Sequence, residues 1–397
     1  MAGLSQGNPQ RAMTFVSANK TAVSVPPAAG QGRLMRVARE HGVGPVRQYA
    51  QMLALRVRGT GIDTGEYYDF GLYDNAHTGR GRARFLGEQA SRELNLSLSP
   101  DGVWHHDAIV SDKVALVQYL AERGMPTAET QATVGKSHAF GGIPRLRNTG
   151  QLLGFLSAGA RYPLLAKPTF GRLSTGAARI DRIDDEGRFL RFANGRCADL
   201  ASFAEEVMRD HGRTGLVFQS ALRQHGALTA LTGPALVTLR LVTLAEAPQA
   251  PAVLYALACL PDAGAGMLCP VDLSDGTLGE IRRGSGPDTE WRSSHPVTGR
   301  RLTGQELPDW RAACELASAA HALLPECGIM GWDIGLTVDG PALVSGTGTP
   351  RHALYQLAHC EGVMNPRFAP RFRAVAARQA QAVQVALGRG AAPGTRR

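Results

Sequence analysis

Between residues 111 and 350 the chain is cut by glycine and proline into short apolar runs, most of them too short for a stable helix. Runs at 162–167, 177–183, 189–192, 216–222, 236–244, 253–260, 329–338 and 342–345 read as strands, and an Asp339-Gly340 turn folds the last two into a hairpin. Three longer segments carry helix signals. Ser111 is the expected cap of a helix that Gly124 and Pro126 stop, Asp199 caps one ending at His211-Gly212, and Pro308 opens one that Pro325 closes. Many short strands with a few separate helices predict an α+β chain, and no internal repeat suggests a solenoid.

The 397 residues, 44% of them hydrophobic, are enough for two or three domains' worth of core. Residues 1–32 are rich in Ala, Ser, Gly, Gln and Pro without sustained periodicity and are expected to be a mobile tail. Residues 33–110 read as a helical region that opens with basic amphipathic helices, and 366–397 as a basic helix followed by a second tail. Between them the expected division is 111–215 and 216–365.

Net charge is +9, but the arginines are spread thin and aromatics total 6%, so no dense basic face interleaved with aromatics marks a nucleic-acid or membrane-surface binder. None of the six cysteines falls in a Cys-x-x-Cys pair, which argues against a zinc ribbon or a disulfide framework and for a reducing compartment. No leader pattern and no apolar run near the roughly 20 residues of a bilayer span is present, so the expected location is the cytoplasm.

Only four of the 43 basic side chains are lysine. A chain that uses arginine for general charge keeps lysine where a compact point charge is wanted, and phosphate is such a target. Lys113 lies in the first turn of the expected helix after Ser111. Lys167 ends a strand and leads into a loop with Gly171, Arg172, Ser174, Thr175 and Gly176, whose glycines admit a ligand close to the backbone while N–H groups and hydroxyls face phosphate oxygens. A glycine hairpin loop without a ligand has the same composition. Gly135-Lys136-Ser137 lacks the earlier glycine of a phosphate-binding P-loop, with Thr130 in its place, and no hydrolase elbow, metalloprotease helix or dinucleotide fingerprint is present. His105-His106-Asp107 reads as a surface loop.

Arg240 sits in an apolar strand with Thr238 on its face. Desolvating it unpaired is costly, so it needs either an internal carboxylate or a bound anion, and both readings stay open. On the closing hairpin Asp333, Ser345 and Thr347 can share one side, while Asp339 serves the turn.

In this order, Asp112-Lys113, Lys167-Pro168 with the glycine loop, Phe218-Gln219 through Gln224-His225, Thr238-Leu239-Arg240, His295-Pro296-Val297-Thr298-Gly299, Gly331-Trp332-Asp333 and Pro350 resemble the ATP-grasp superfamily, in its sugar-transfer-associated branch related to alpha-L-glutamate ligases. The likeness spans about residues 65–365. It implies two α+β subdomains gripping ATP, with Lys113 and Lys167 on the phosphates, Gln219 and His225 at the hinge beside the adenine, Arg240 on the transferred phosphoryl group and Asp333 holding Mg²⁺. Such enzymes join a carboxylate to an amine or other nucleophile through an acyl phosphate, here in surface-glycan or secondary-metabolite assembly. The chain departs from the pattern where the family usually carries a Glu and an Asn as metal ligands: Ser345 and Thr347 stand there. Val237 stands where an Asn is usual. A nucleotide-binding partner or scaffold without catalysis is the alternative these departures leave.

Overall fold

The computed structural model describes residues 30–100, 106–135, 142–169, 177–247, 250–261 and 266–386. The expected mobile tail therefore lies almost wholly outside the described residues, as does the second tail beyond residue 386. The chain is mixed α+β and divides into two compact units: residues 128–221 form one, and the described residues up to 127 and from 222 onward form the other.

The smaller unit is built on one sheet of β1 (Thr130–Val134), β2 (Arg145–Leu146), β3 (Leu164–Pro168), β4 (Ala178–Ile183), β5 (Phe189–Phe192), β6 (Cys197–Asp199) and β7 (Leu216–Ser220), in the order β2-β1-β7-β3-β4-β5-β6. All neighbours are antiparallel except β1 and β2. Strand alternation sends Leu164, Ala166, Leu216 and Phe218 to a core shared with Phe203, Ala204 and Val207 of helix Leu200–His211. That helix starts where expected, with the Asp199 carboxylate accepting the Ser202 N–H at 2.9 Å.

The larger unit holds the sheet of β8 (Thr238–Leu244), β9 (Ala252–Leu260), β10 (Met267–Pro270), β11 (Ile281–Arg283), β12 (Glu290–Arg292), β13 (Ile329–Thr337) and β14 (Gly340–Thr347). Its order is β12-β11-β10-β9-β8-β13-β14, so the hairpin predicted from Asp339-Gly340 forms one edge. Both faces are used. Leu239, Leu241, Trp332, Ile334 and Leu336 pack with Ala313, Ala317 and Ala320 of helix Trp310–Ala322 and with Leu116 and Leu120 of helix Lys113–Ala121. On the opposite face Val242, Leu244, Leu257 and Ile329 meet Tyr355 of helix His352–His359 and Phe372 and Val375 of helix Ala369–Ala386. A separate aromatic cluster of Tyr67, Tyr68, Tyr73 and Phe85 with Val37 and Leu55 holds the N-terminal helices.

Two helix starts differ from the sequence expectation. Asp112, not Ser111, caps helix Lys113–Ala121, because its carboxylate takes the Val114 N–H at 2.8 Å and the Ala115 N–H at 3.1 Å. Ser111 instead ends a short preceding helix, Asp107–Ser111. Pro308 also falls before its helix, whose cap is Asp309 at φ 52°. His106 is no surface loop residue: its ring lies 3.0 Å from the Glu326 carboxylate and 3.3 Å from the Tyr119 hydroxyl.

Candidate functional site

Register brings together three residues that stand far apart in sequence. Arg240 on β8 is directly opposite Asp333 on β13, and Asp333 is directly opposite Ser345 on β14. Strand alternation puts all three on the face where Val242, Leu244 and Ile329 are covered by helices. At their own level of that face, Arg240 and Asp333 keep 14% and 22% of their side-chain surface exposed.

Arg240 Nε donates to Asp333 Oδ1 at 2.7 Å and Nη2 donates to Oδ2 at 3.0 Å, a side-on fork. Ser345 Oγ donates to the same Oδ2 at 2.6 Å. A carboxylate has about four acceptor positions and a guanidinium five N–H groups. Three of the first are thus engaged, and two of the second. Burial works against the Arg240 charge, but the Asp333 carboxylate outweighs it and raises the arginine above its ordinary pKa. On β9, Cys259 comes from the strand beside Arg240; burial pushes its thiol up to about 11, against the pull of Arg240, so it adds no charge. The Thr347 hydroxyl accepts the Thr349 N–H at 3.1 Å in a local turn.

The opposite face fixes this arrangement from beneath. Trp332 Nε1 donates to Thr243 Oγ1 at 3.0 Å, Thr243 lies 2.7 Å from His321 Nδ1, and His321 Nε2 lies 2.9 Å from the Cys327 carbonyl. Since a carbonyl only accepts, Nε2 carries a proton, and with the ring kept neutral by burial Nδ1 accepts from Thr243. Burial lowers its pKa to about 4. A Cβ on Gly346 would come within 2.7 Å of the Trp332 ring and 2.8 Å of Leu116, which explains the glycine between Ser345 and Thr347. A second chain runs from the Tyr255 hydroxyl to His352 Nδ1 at 2.9 Å, from His352 Nε2 to Asn95 Oδ1 at 2.9 Å, and from Asn95 Nδ2 to the Pro350 carbonyl at 3.0 Å, pinning the end of the hairpin.

In the smaller unit Lys167 and Gln219 share the face of β3 and β7 that is turned away from helix Leu200–His211: Lys167 is opposite Val217 and Leu165 opposite Gln219. Gln219 Nε2 donates to Thr130 Oγ1 at 3.2 Å, while its buried Oε1 has no hydrogen-bond partner among the described residues. Gly171, Ser174, Thr175 and Gly176 lie outside the described residues. Lys113 is the first residue of its helix. His225 belongs to the larger unit, where it caps helix Gly226–Thr232 by accepting the Ala227 N–H on Nδ1 at 3.2 Å. Gln224, in the same stretch, is buried and clamps Thr232, Gly233 and Val237. Sequence reasoning gave no role to Thr243, His321, His352 or Cys259, because no spacing ties any of them to a partner.

A family model described as sugar-transfer associated ATP-grasp matches residues 105–369. No curated protein matches the chain. Among solved structures, similar ones include an L-amino acid ligase from Bacillus licheniformis (14% identity, TM-score 0.35, covering 68% of this chain and 48% of that one). The D-alanine–D-alanine ligase from Coxiella burnetii is 12% identical, with TM-score 0.38 over 70% of this chain and 60% of its own. That from Bacillus anthracis is 12% identical, with TM-score 0.38 over 72% and 71%. The chain thus spans about half the length of the first of these and less than two-thirds of the second.

Proposed function

The chain belongs to the sugar-transfer associated ATP-grasp family, whose model matches about two-thirds of it, and from that premise we propose that it is an ATP-dependent ligase joining a carboxylate to an amine or similar nucleophile. The observation that carries this reading is Arg240: a charged, mostly buried guanidinium with three N–H groups that have no partner among the described residues. Such an edge fits phosphate or carboxylate oxygens two at a time.

In this reading a carboxylate oxygen attacks the terminal phosphorus of ATP and the bond to ADP breaks, with ADP leaving on the electron pair. The nucleophile then attacks the acyl carbon, phosphate leaves, and the amine proton passes to solvent. Catalysis of this kind is positioning and charge neutralisation. Lys113, Lys167 and the loop residues Gly171, Ser174, Thr175 and Gly176 are assigned to nucleotide phosphates, Gln219 and His225 to the base, and Arg240 to the transferred phosphoryl group. The Gln219 assignment is supported by its buried, unpartnered Oε1, an acceptor suited to an exocyclic amine. Location in the cytoplasm and a role in surface-glycan or secondary-metabolite assembly complete the proposal.

Mg²⁺ at Asp333 does not fit the side chains present. The carboxylate keeps one acceptor position beyond Arg240 and Ser345, and no group of three potential metal-ligating side chains occurs among the described residues. No step is therefore derived through a protein-held ion. That Ser345–Asp333 hydrogen bond also favours a second reading, nucleotide binding without turnover in a partner or scaffold role. Thermal denaturation of the full chain with ATP tests both: saturating ATP at about 100 times Kd should add about 2.7 kcal/mol of stability. No shift at millimolar ATP would sink both readings. A shift with no ADP and no ligated product by mass spectrometry, from pooled carboxylates and amines, would leave the second.

A further inference from the structure

The site has donors to offer and almost no acceptors. Asp333 is met by Arg240 Nε, Arg240 Nη2 and Ser345 Oγ, all at 3.0 Å or less, while Arg240 keeps three N–H groups without a partner among the described residues. A divalent ion such as Mg²⁺ is held through one or two carboxylates besides substrate phosphates, in near-ideal octahedral geometry. Asp333 has one acceptor position left, where an ion would lie beside the Arg240 guanidinium, and offering it more would mean releasing hydrogen bonds that hold it to a charged group only 14% exposed. Among the described residues no cluster of ligating side chains supplies a substitute: Ser345 donates to Asp333, the Thr347 hydroxyl accepts the Thr349 N–H, and the Cys259 thiol stays protonated.

We infer that Asp333 and Ser345 are positioning residues for Arg240, and that the three form a receptor for an oxyanion, phosphate or carboxylate, that works without a divalent ion held by the protein. Ser345 fixes the carboxylate, the carboxylate fixes the guanidinium through its Nε edge, and the outer Nη edge is left to grip two oxygens of a ligand. The inference rests on the proposed ATP binding only for the identity of the ligand; the receptor itself follows from the donor and acceptor count.

The test uses the full chain with Mn²⁺ alone, ADP and inorganic phosphate as probes, following Mn²⁺ by electron paramagnetic resonance and the anions by calorimetry with Mg²⁺ or with EDTA. The wild type should bind no Mn²⁺ by itself, and its ADP affinity should change little between the two media. Arg240→Lys should weaken anion binding about tenfold in both media, because a lysine cannot keep the fork. Ser345→Glu with Thr347→Asn should gain Mn²⁺ binding and make ADP affinity metal-dependent by about tenfold, a change that a purely structural role would not produce. Mn²⁺ bound by the wild type and lost in Asp333→Asn would overturn the inference, as would a folded double variant that gains no metal. Phosphate binding that depends on Arg240, without ADP binding, would refute the nucleotide reading and support the receptor. Neither anion binding would refute the receptor.

Discussion

Lowering the pH should destabilise the larger unit through His321, and the effect can be worked from the geometry. His321 is fully buried, with Nδ1 accepting from Thr243 and Nε2 donating to the Cys327 carbonyl. Protonation would put a second N–H against the Thr243 hydroxyl, which already accepts from Trp332. Burial lowers the pKa from 6.5 to about 4. Below pH 6.5 the unfolded chain therefore takes up a proton that the folded chain refuses until about pH 4. The contribution is whole above 6.5 and is lost as pH falls through that window. At about 1.4 kcal/mol per unit, a shift of roughly 2.5 units removes on the order of 3 kcal/mol, a large part of the 5–15 kcal/mol typical of a domain.

His321→Gln separates this from other acid effects. A glutamine offers an amide oxygen to Thr243 and an N–H to the Cys327 carbonyl without titrating. His352, which burial lowers to about 3, is present in both proteins and cancels in the comparison. Urea unfolding at a series of pH values should give nearly equal stability for the two proteins near pH 8. The wild type should fall behind by about 3 kcal/mol at pH 4. Parallel curves across the window would refute the reasoning, as would an NMR titration of His321 in the folded wild type with a midpoint near 6.5.

Two further perturbations address the sheet itself. Asp333→Ala should cost about 3 kcal/mol in urea unfolding, because it leaves the Arg240 charge mostly buried and unpaired, while Arg240→Met with Asp333→Leu should recover most of that loss; equal losses in both would show that the ion pair is not the cause. Gly346→Ala should cost about 1–3 kcal/mol and disturb the environment of Trp332, read by near-UV circular dichroism, since its Cβ would meet the ring within 2.7 Å; an unchanged spectrum and stability would show that β14 shifts freely there.

Much of the architecture was legible because it depends on local signals. Asp199, Gly124 and Asp339-Gly340 act within a few residues of themselves, and they mark a helix start, a helix stop and a hairpin turn in the structure. Where two local signals competed the sequence could not choose: Ser111 and Asp112 are both good caps, and only the backbone path makes the aspartate the acceptor. The site depends on pairing over long separations. Period-two alternation put Thr238 with Arg240, and Asp333 with Ser345 and Thr347, on possible common faces, but it could not decide between an internal partner and a ligand for Arg240. That needed the register of β8 against β13, 93 residues apart, which a shift of one residue would have reversed by sending Arg240 to the opposite face. Once the register is known, both readings of Arg240 hold at the same time. One edge of the guanidinium meets an internal carboxylate, and the other is open to an anion, because a planar group with five donors is not exhausted by one carboxylate.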